Sequence, residues 1–240
     1  MESKEDMEFS RGMVVVAHAD DAEYGCSGTV AKLCSLGWEM VYVMCTNGSK
    51  GTSNRNISQK ELAAIRHDEQ ERAGKVLGLK EVVFLDYEDS MLEPSIALRR
   101  DITQEIRRHK PDILICQYPL RTLDGKWGIG HPDHIAAGEA ALSATFPSAR
   151  DHLTFPELLE SGLEPHKVSE AWIMGHPAPN HWVDVTNHME TSVSAIMQHT
   201  SQIEGSSPEE MDRRMREGRR EKGVGKGMQY AEEFRLIRMR

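Results

Sequence analysis

The chain has 240 residues, 39% of them apolar, and a formal charge of −9 at pH 7. That length suits one α/β domain, and the apolar share suffices for a core, which excludes a disordered chain. The acidic balance excludes a general nucleic-acid binder, which needs a basic face, and no run approaches the roughly 18 apolar residues of a membrane span. The polar opening MESKEDMEFSRG lacks the apolar stretch of a secretory signal. Cys26, Cys34, Cys45 and Cys116 show no C-x-x-C spacing. Reduced thiols and a cytoplasmic location are the expectation.

Short apolar runs alternate with longer amphipathic ones, the signature of βα units and a parallel sheet. Residues 13–17 (MVVVA) read as a strand buried on both faces. A helix follows to about Leu36, with Gly37 at its end. Residues 40–45 (MVYVMC) form the second strand. After a polar loop, Ser58 and Glu61 have capping-box spacing and open a helix over 59–77 that ends at Gly78. Residues 82–85 form a third strand, 96–109 an amphipathic helix stopped by Pro111, and 113–116 a fourth strand. A loop with little periodicity leads to His131-Pro132-Asp133-His134, where Pro132 fits the first position of a helix. Later, 170–174 and 182–185 read as strands and 190–199 as a helix. Residues 205–240 hold ten Lys/Arg against seven Asp/Glu and read as a solvated helix or an inter-subunit arm. No internal repeat or second-domain boundary is visible, so residues 1–240 form one Rossmann-like, three-layer α/β/α domain with a mostly parallel sheet.

The chemistry concentrates where the first and fourth strands end. His18, Asp20 and Asp21 follow the first, and His131 and His134 lie beyond the fourth. In the common order 3-2-1-4-5 these strands are neighbours flanking the crevice where ligands bind, so the two clusters meet. Two carboxylates about 6 Å apart repel by roughly 2.8 kcal/mol at an effective dielectric near 20. Adjacent aspartates therefore call for a cation, and a bound phosphate would add to the repulsion. Two imidazoles and one carboxylate form a catalytic zinc site that keeps a position for water, whose pKa falls from 15.7 to about 7 on coordination. His18, Asp21 and His134 are the candidate zinc ligands, and Asp20 is free to take the water's proton. Taken singly, the H-x-D-D segment also reads as a surface turn and H-P-D-H as a helix cap. Their convergence favours the metal site.

The paired motifs, A-H-A-D-D-A-E at 17–23 and H-P-D-H at 131–134, resemble those of the LmbE-like/PIG-L family of zinc-dependent N-deacetylases. E-Y-G-C-S-G-T (23–29), Thr46 to Gly48, Arg66 with Glu69, F-L-D-Y-E-D (84–89), D-V-T (184–186), H-T-S-Q (199–202) and Y-A-E-E-F (230–234) extend the likeness over nearly the whole chain. The resemblance implies one Zn²⁺ on His18, Asp21 and His134, with Asp20 as general base. It implies that His131 polarises the amide carbonyl and that Asp133 orients an imidazole. Arg66 and Asp89 would contact sugar hydroxyls, the alternatives being a helix arginine paired with Glu69 or Asp68 and a turn aspartate. Trp127, in the 120–130 loop, reads equally as a substrate contact or as packing. Ala19 stands where the family usually has proline, and Ile129 where some relatives carry a tyrosine. The implied substrate is a small N-acetylated amino sugar or its glycoside, and homo-oligomeric assembly is open. Two other readings remain: an amidase for thiol-sugar conjugates, and a non-catalytic nucleotide- or metal-binding Rossmann module. The latter lacks a G-x-G-x-x-G fingerprint. His199 reads as a structural histidine on a helix.

Overall fold

The computed structural model describes residues 9–123, 129–203 and 205–240. In chain order the elements are β1 (Arg11–Val16), α1 (Asp21–Ser35), β2 (Glu39–Thr46), α2 (Gln59–Leu77), β3 (Glu81–Tyr87), α3 (Ile96–His109) and β4 (Ile113–Gln117). Then follow α4 (Pro132–Ser143), α5 (Pro156–Glu160), β5 (Glu170–Met174), β6 (His181–Asp184), α6 (Met189–Ile196), α7 (Pro208–Gly223) and β7 (Ala231–Arg238). The strands form one sheet in the order β3-β2-β1-β4-β5-β7-β6. β3 through β5 pair in parallel, and β7 runs antiparallel to both neighbours. The expected core order 3-2-1-4-5 is the observed one.

β1 shows why its sequence is continuously apolar. Met13 and Val15 join the core under α3 and α4, while Val14 and Val16 face the core under α1 and α2. Both faces of the strand are covered, so neither set tolerates polar residues. Ser58 and Glu61 form the anticipated capping box, the Ser58 hydroxyl accepting from the Glu61 N–H and the Glu61 carboxylate from the Ser58 N–H. Among the described residues no helix is long and apolar enough to cross a membrane.

The C-terminal region corrects the sequence reading. Residues 205–240 are neither a solvated helix nor a free arm, because α7 buries Met211, Met215, Arg219 and Gly223 along one face. The fully buried Glu232 of β7 pairs with Arg219 at 2.6 Å and accepts the N–H groups of Gly28 and Thr29. Gly28 makes this approach feasible: a Cβ there would stand 2.8 Å from Val185 Cβ and 3.1 Å from the Glu232 carboxylate. Charge that looks solvated in sequence is partly internal.

Gly138 places α4. A Cβ at this position would lie 2.3 Å from the carbonyl oxygen of Gln117, the last residue of β4. Backbone cannot yield as a flexible side chain does, so only glycine lets the helix sit this close. One turn earlier on the helix stands His134. Gly138→Ala is expected to cost about 3 kcal/mol, at the upper end of overpacking effects. Calorimetry would show this as a melting temperature lowered by roughly 5–10 °C.

Candidate active site

Three strand ends are tied together beneath the first cluster. The Ala17 N–H donates to Gln117 Oε1 at 2.9 Å, and the Thr46 N–H and hydroxyl both donate to the Ala17 carbonyl. The chain then turns sharply into α1 with Asp20 in the left-handed region at φ 84°, a conformation that Asp tolerates better than most residues. The Asp20 N–H donates to Gln70 Oε1 at 3.2 Å. Asp21 opens α1 and accepts the His18 N–H at 2.8 Å, its charge favoured by the helix N-terminus.

The second cluster comes in on α4. His131 is the N-cap, its Nδ1 accepting the Asp133 N–H at 3.2 Å, and Pro132 occupies the first turn as expected. Asp133 is fully buried. Its carboxylate accepts the N–H groups of Ser90 and Leu92 and lies 3.1 Å from His18 Nε2. On the other edge of that ring, His18 Nδ1 lies 3.3 Å from Asp21, whose second oxygen is 3.1 Å from His134 Nε2. The His18 ring centroid is 4.8 Å from that of His131 and 5.3 Å from that of His134. Segments more than a hundred residues apart in sequence thus share one locus.

Electrostatics at this locus favour a cation. Burial alone would lower the His18 pKa, but hydrogen bonds to Asp133, Asp21 and Asp89 outweigh it and carry it to about 11. Burial works to raise Asp21, yet His134 and His18 hold it well below the usual carboxylate range. Asp89 and Asp133 are likewise held low against burial, chiefly by His18. Asp20 behaves oppositely, pushed up to about 7 by burial and then by Asp21 beside it. His131 is lowered by burial and by the two neighbouring imidazoles, which keeps it neutral at pH 7. Because its Nδ1 accepts a backbone N–H, neutral His131 carries its hydrogen on Nε2, a donor.

Two donor sets fit a metal ion. His18, Asp21 and His134 touch one another directly, and the ligating atoms of His18, His131 and His134 lie within 4.8 Å of one another. Both sets share His18 and His134. With its Nε2 side tethered to Asp133, His18 has Nδ1 on the side of Asp21, the arrangement by which a carboxylate orients a metal-binding imidazole. A cleft of about 300 Å³ opens beside them, with Asp21, His131 and His134 in its wall together with Tyr24 and Tyr118. A nucleotide phosphate would meet Asp20, Asp21, Asp89 and Asp133 here, which disfavours the nucleotide-module reading.

Residues 13–145, a stretch holding both clusters, match PIG-L, described as GlcNAc-PI de-N-acetylase. The chain belongs to the PIG-L family. It is 30% identical over 225 residues to the diacetylchitobiose deacetylase of Thermococcus kodakarensis, spanning 94% of this chain and 82% of that protein. A probable N-acetyl-alpha-D-glucosaminyl L-malate deacetylase 2 of Bacillus anthracis is 28% identical over 80% of each chain. Among solved structures, the N,N'-diacetylchitobiose deacetylase from Pyrococcus horikoshii, complexed with its inhibitor MPG, superposes with a TM-score of 0.88. That match has 31% identity and covers 96% of this chain and 85% of the other. The resemblance carried by the two short motifs therefore reflects membership of the PIG-L family.

Not every expected residue of this PIG-L chain lies where sequence placed it. Arg66 and Asp89 are 5% and 3% exposed, and neither is in the cleft wall. Arg66 donates to the carbonyls of Ala19, Gly48 and Lys50. Asp89 lies 3.2 Å from His18 Nε2 and accepts the Lys50 N–H. Trp127 falls outside the described residues. Ile129 is 67% exposed. His199 is fully buried, its Nε2 3.4 Å from Glu23. Sequence reasoning missed Gln117, which locks β1 to β4, and Gln70, which accepts from Asp20 and donates to the buried Glu23 at 3.0 Å. A signal for Gln70 existed: one helical turn after Arg66, it is a polar residue on the inward face of α2.

Proposed function

We propose that this protein is a zinc-dependent N-deacetylase that hydrolyses the acetamide of an N-acetylated amino sugar or its glycoside, with residues 1–240 as one catalytic domain. The observation that carries the reading is the meeting of His18, Asp21 and His134 beside a cleft, with Asp20 and His131 flanking them. Two imidazoles and a carboxylate are a donor set that zinc accepts. When bound, zinc supplies Lewis acidity that makes water a usable nucleophile at neutral pH and polarises an amide carbonyl.

The chain's own residues supply the proton transfers. Asp20, with a proton affinity near neutrality, accepts the proton of the attacking water. His131 donates from Nε2 to the amide oxygen as it becomes an oxyanion. Asp20 or His131 then protonates the nitrogen, which leaves as the free amine with acetate as co-product. Asp133 holds the His18 ring. Arg66 and Asp89 act as supports that fix the loops after β1 and β2, and the cleft walls make the contacts to the sugar. The unpaired cysteines, three of them buried, suit a reducing compartment, and we place the enzyme in the cytoplasm.

The test is a screen of metal-loaded protein against N-acetylglucosamine, diacetylchitobiose and a cysteinyl-glucosamine conjugate, with acetate release as the readout. Acetate from the N-acetyl sugars is expected. Cleavage of the cysteinyl conjugate alone would favour the amidase reading, and no cleavage at all would remove the assignment. Gln70→Leu is expected to lower kcat about tenfold with metal content and KM retained, because an unpaired N–H in the loop costs 1–3 kcal/mol and the loop carries Asp20.

A further inference from the structure

The C-terminal segment forms a wall of the cleft. Because β7 is antiparallel, its first residues lie at the edge where the parallel strands end: Phe234 pairs with Met174, the last residue of β5. Lys222, at the end of α7, and Glu233, on β7, line the same cleft as Asp21, His131 and His134. Both are half-buried, and both lie beyond the stretch 13–145 that matches the family.

Their partners distinguish them from their neighbours. Arg219 and Glu232 are buried and paired with each other. The side chains of Lys222 and Glu233 make no ion pair or hydrogen bond among the described residues, with each other or with any other group. Burial lowers the Lys222 pKa even though Glu232 opposes the shift, as befits an ammonium short of partners. An ammonium offers three donors and a carboxylate only acceptors. A hydroxyl both donates and accepts, so neighbouring hydroxyls satisfy the two side chains together, whereas an anionic group gains at Lys222 and is repelled at Glu233. In the sheet order β4-β5-β7, strands spaced by about 4.8 Å put β7 roughly 10 Å from β4, whose following loop and helix carry His131 and His134.

We propose that Lys222 and Glu233 form a second subsite for an uncharged, hydroxyl-rich group attached to the amino sugar, a second sugar ring or a polyol, and so set a preference for glycosides over the free monosaccharide. The inference rests on the N-deacetylase reading above. Its test compares kcat/KM for diacetylchitobiose and N-acetylglucosamine in the wild type, Lys222→Met and Glu233→Gln. In each variant the disaccharide-to-monosaccharide ratio is expected to fall about tenfold, through a higher KM for the disaccharide. An unchanged ratio overturns the subsite. So does a wild type that prefers an N-acetylglucosaminyl malate, if that preference is lost in Lys222→Met, because the wall would then be an anion site.

Calorimetric titration of both N-acetyl sugars onto metal-loaded Asp20→Asn protein, with and without Lys222→Met, reads the subsite without turnover. Tighter disaccharide binding that depends on Lys222, in a protein whose wild type releases no acetate, keeps the subsite and discards the deacetylase. Equal affinity for the two sugars discards the subsite whatever the activity.

Discussion

Asp20→Asn is expected to leave the metal bound and the fold intact while lowering kcat by about 10²–10⁴-fold, the range that a positioned general base supplies. The substitution is nearly isosteric. Asparagine tolerates the left-handed region as readily as aspartate, so the turn at φ 84° and the hydrogen bond from its N–H to Gln70 persist. What disappears is a proton acceptor whose affinity burial and Asp21 have raised to near neutrality. The measurement is kcat alongside elemental analysis of the same preparation. Near wild-type turnover removes Asp20 from proton transfer, and loss of metal together with activity reassigns it to holding the ion.

Asp21→Ala tests the other half of the site. The Asp21 carboxylate lies between His18 and His134, with one oxygen toward each, so its removal is expected to abolish stoichiometric metal and to lower kcat/KM by about 10³-fold or more, since a Lewis acid contributes several kcal/mol to such reactions. Thermal unfolding offers a readout independent of activity. An ion that binds only the folded state stabilises it by about 4.1 kcal/mol at a thousandfold excess over Kd. The wild-type melting temperature is therefore expected to rise with zinc and that of the variant to stay flat. A variant that still binds one ion would show that His18, His131 and His134 hold it, the alternative donor set of this locus.

Much of the fold was legible because it is written in local chemistry. The helix over 59–77 emerged with its bounds intact, because Ser58 and Glu61 stop the backbone from being anything else at that point. The helix at 96–109 likewise matched, bounded by Pro111 and by an amphipathic pattern. β7 escaped notice because its alternation is carried by charged residues. Glu232 is fully buried only because Arg219, thirteen residues earlier, neutralises it, and that pairing exists only once α7 lies along α1. The same blindness made residues 205–240 read as solvated. At the site, the motifs identified Arg66 and Asp89 as functionally connected residues, but which way their side chains turn depends on loops after β1, β2 and β3 that fold together.

By itself the sequence determined the parallel βα order, the caps, the family and the identity of the residues at two strand ends, because periodicity, capping and motif spacing are short-range properties. Only the tertiary structure decided that His18 lies between Asp133 and Asp21, that His131 is left with a hydrogen on Nε2, and that a C-terminal lysine and glutamate face the cleft. Those outcomes follow from burial and from hydrogen bonds between segments up to two hundred residues apart, and desolvation is a property of the packed whole that no local pattern encodes.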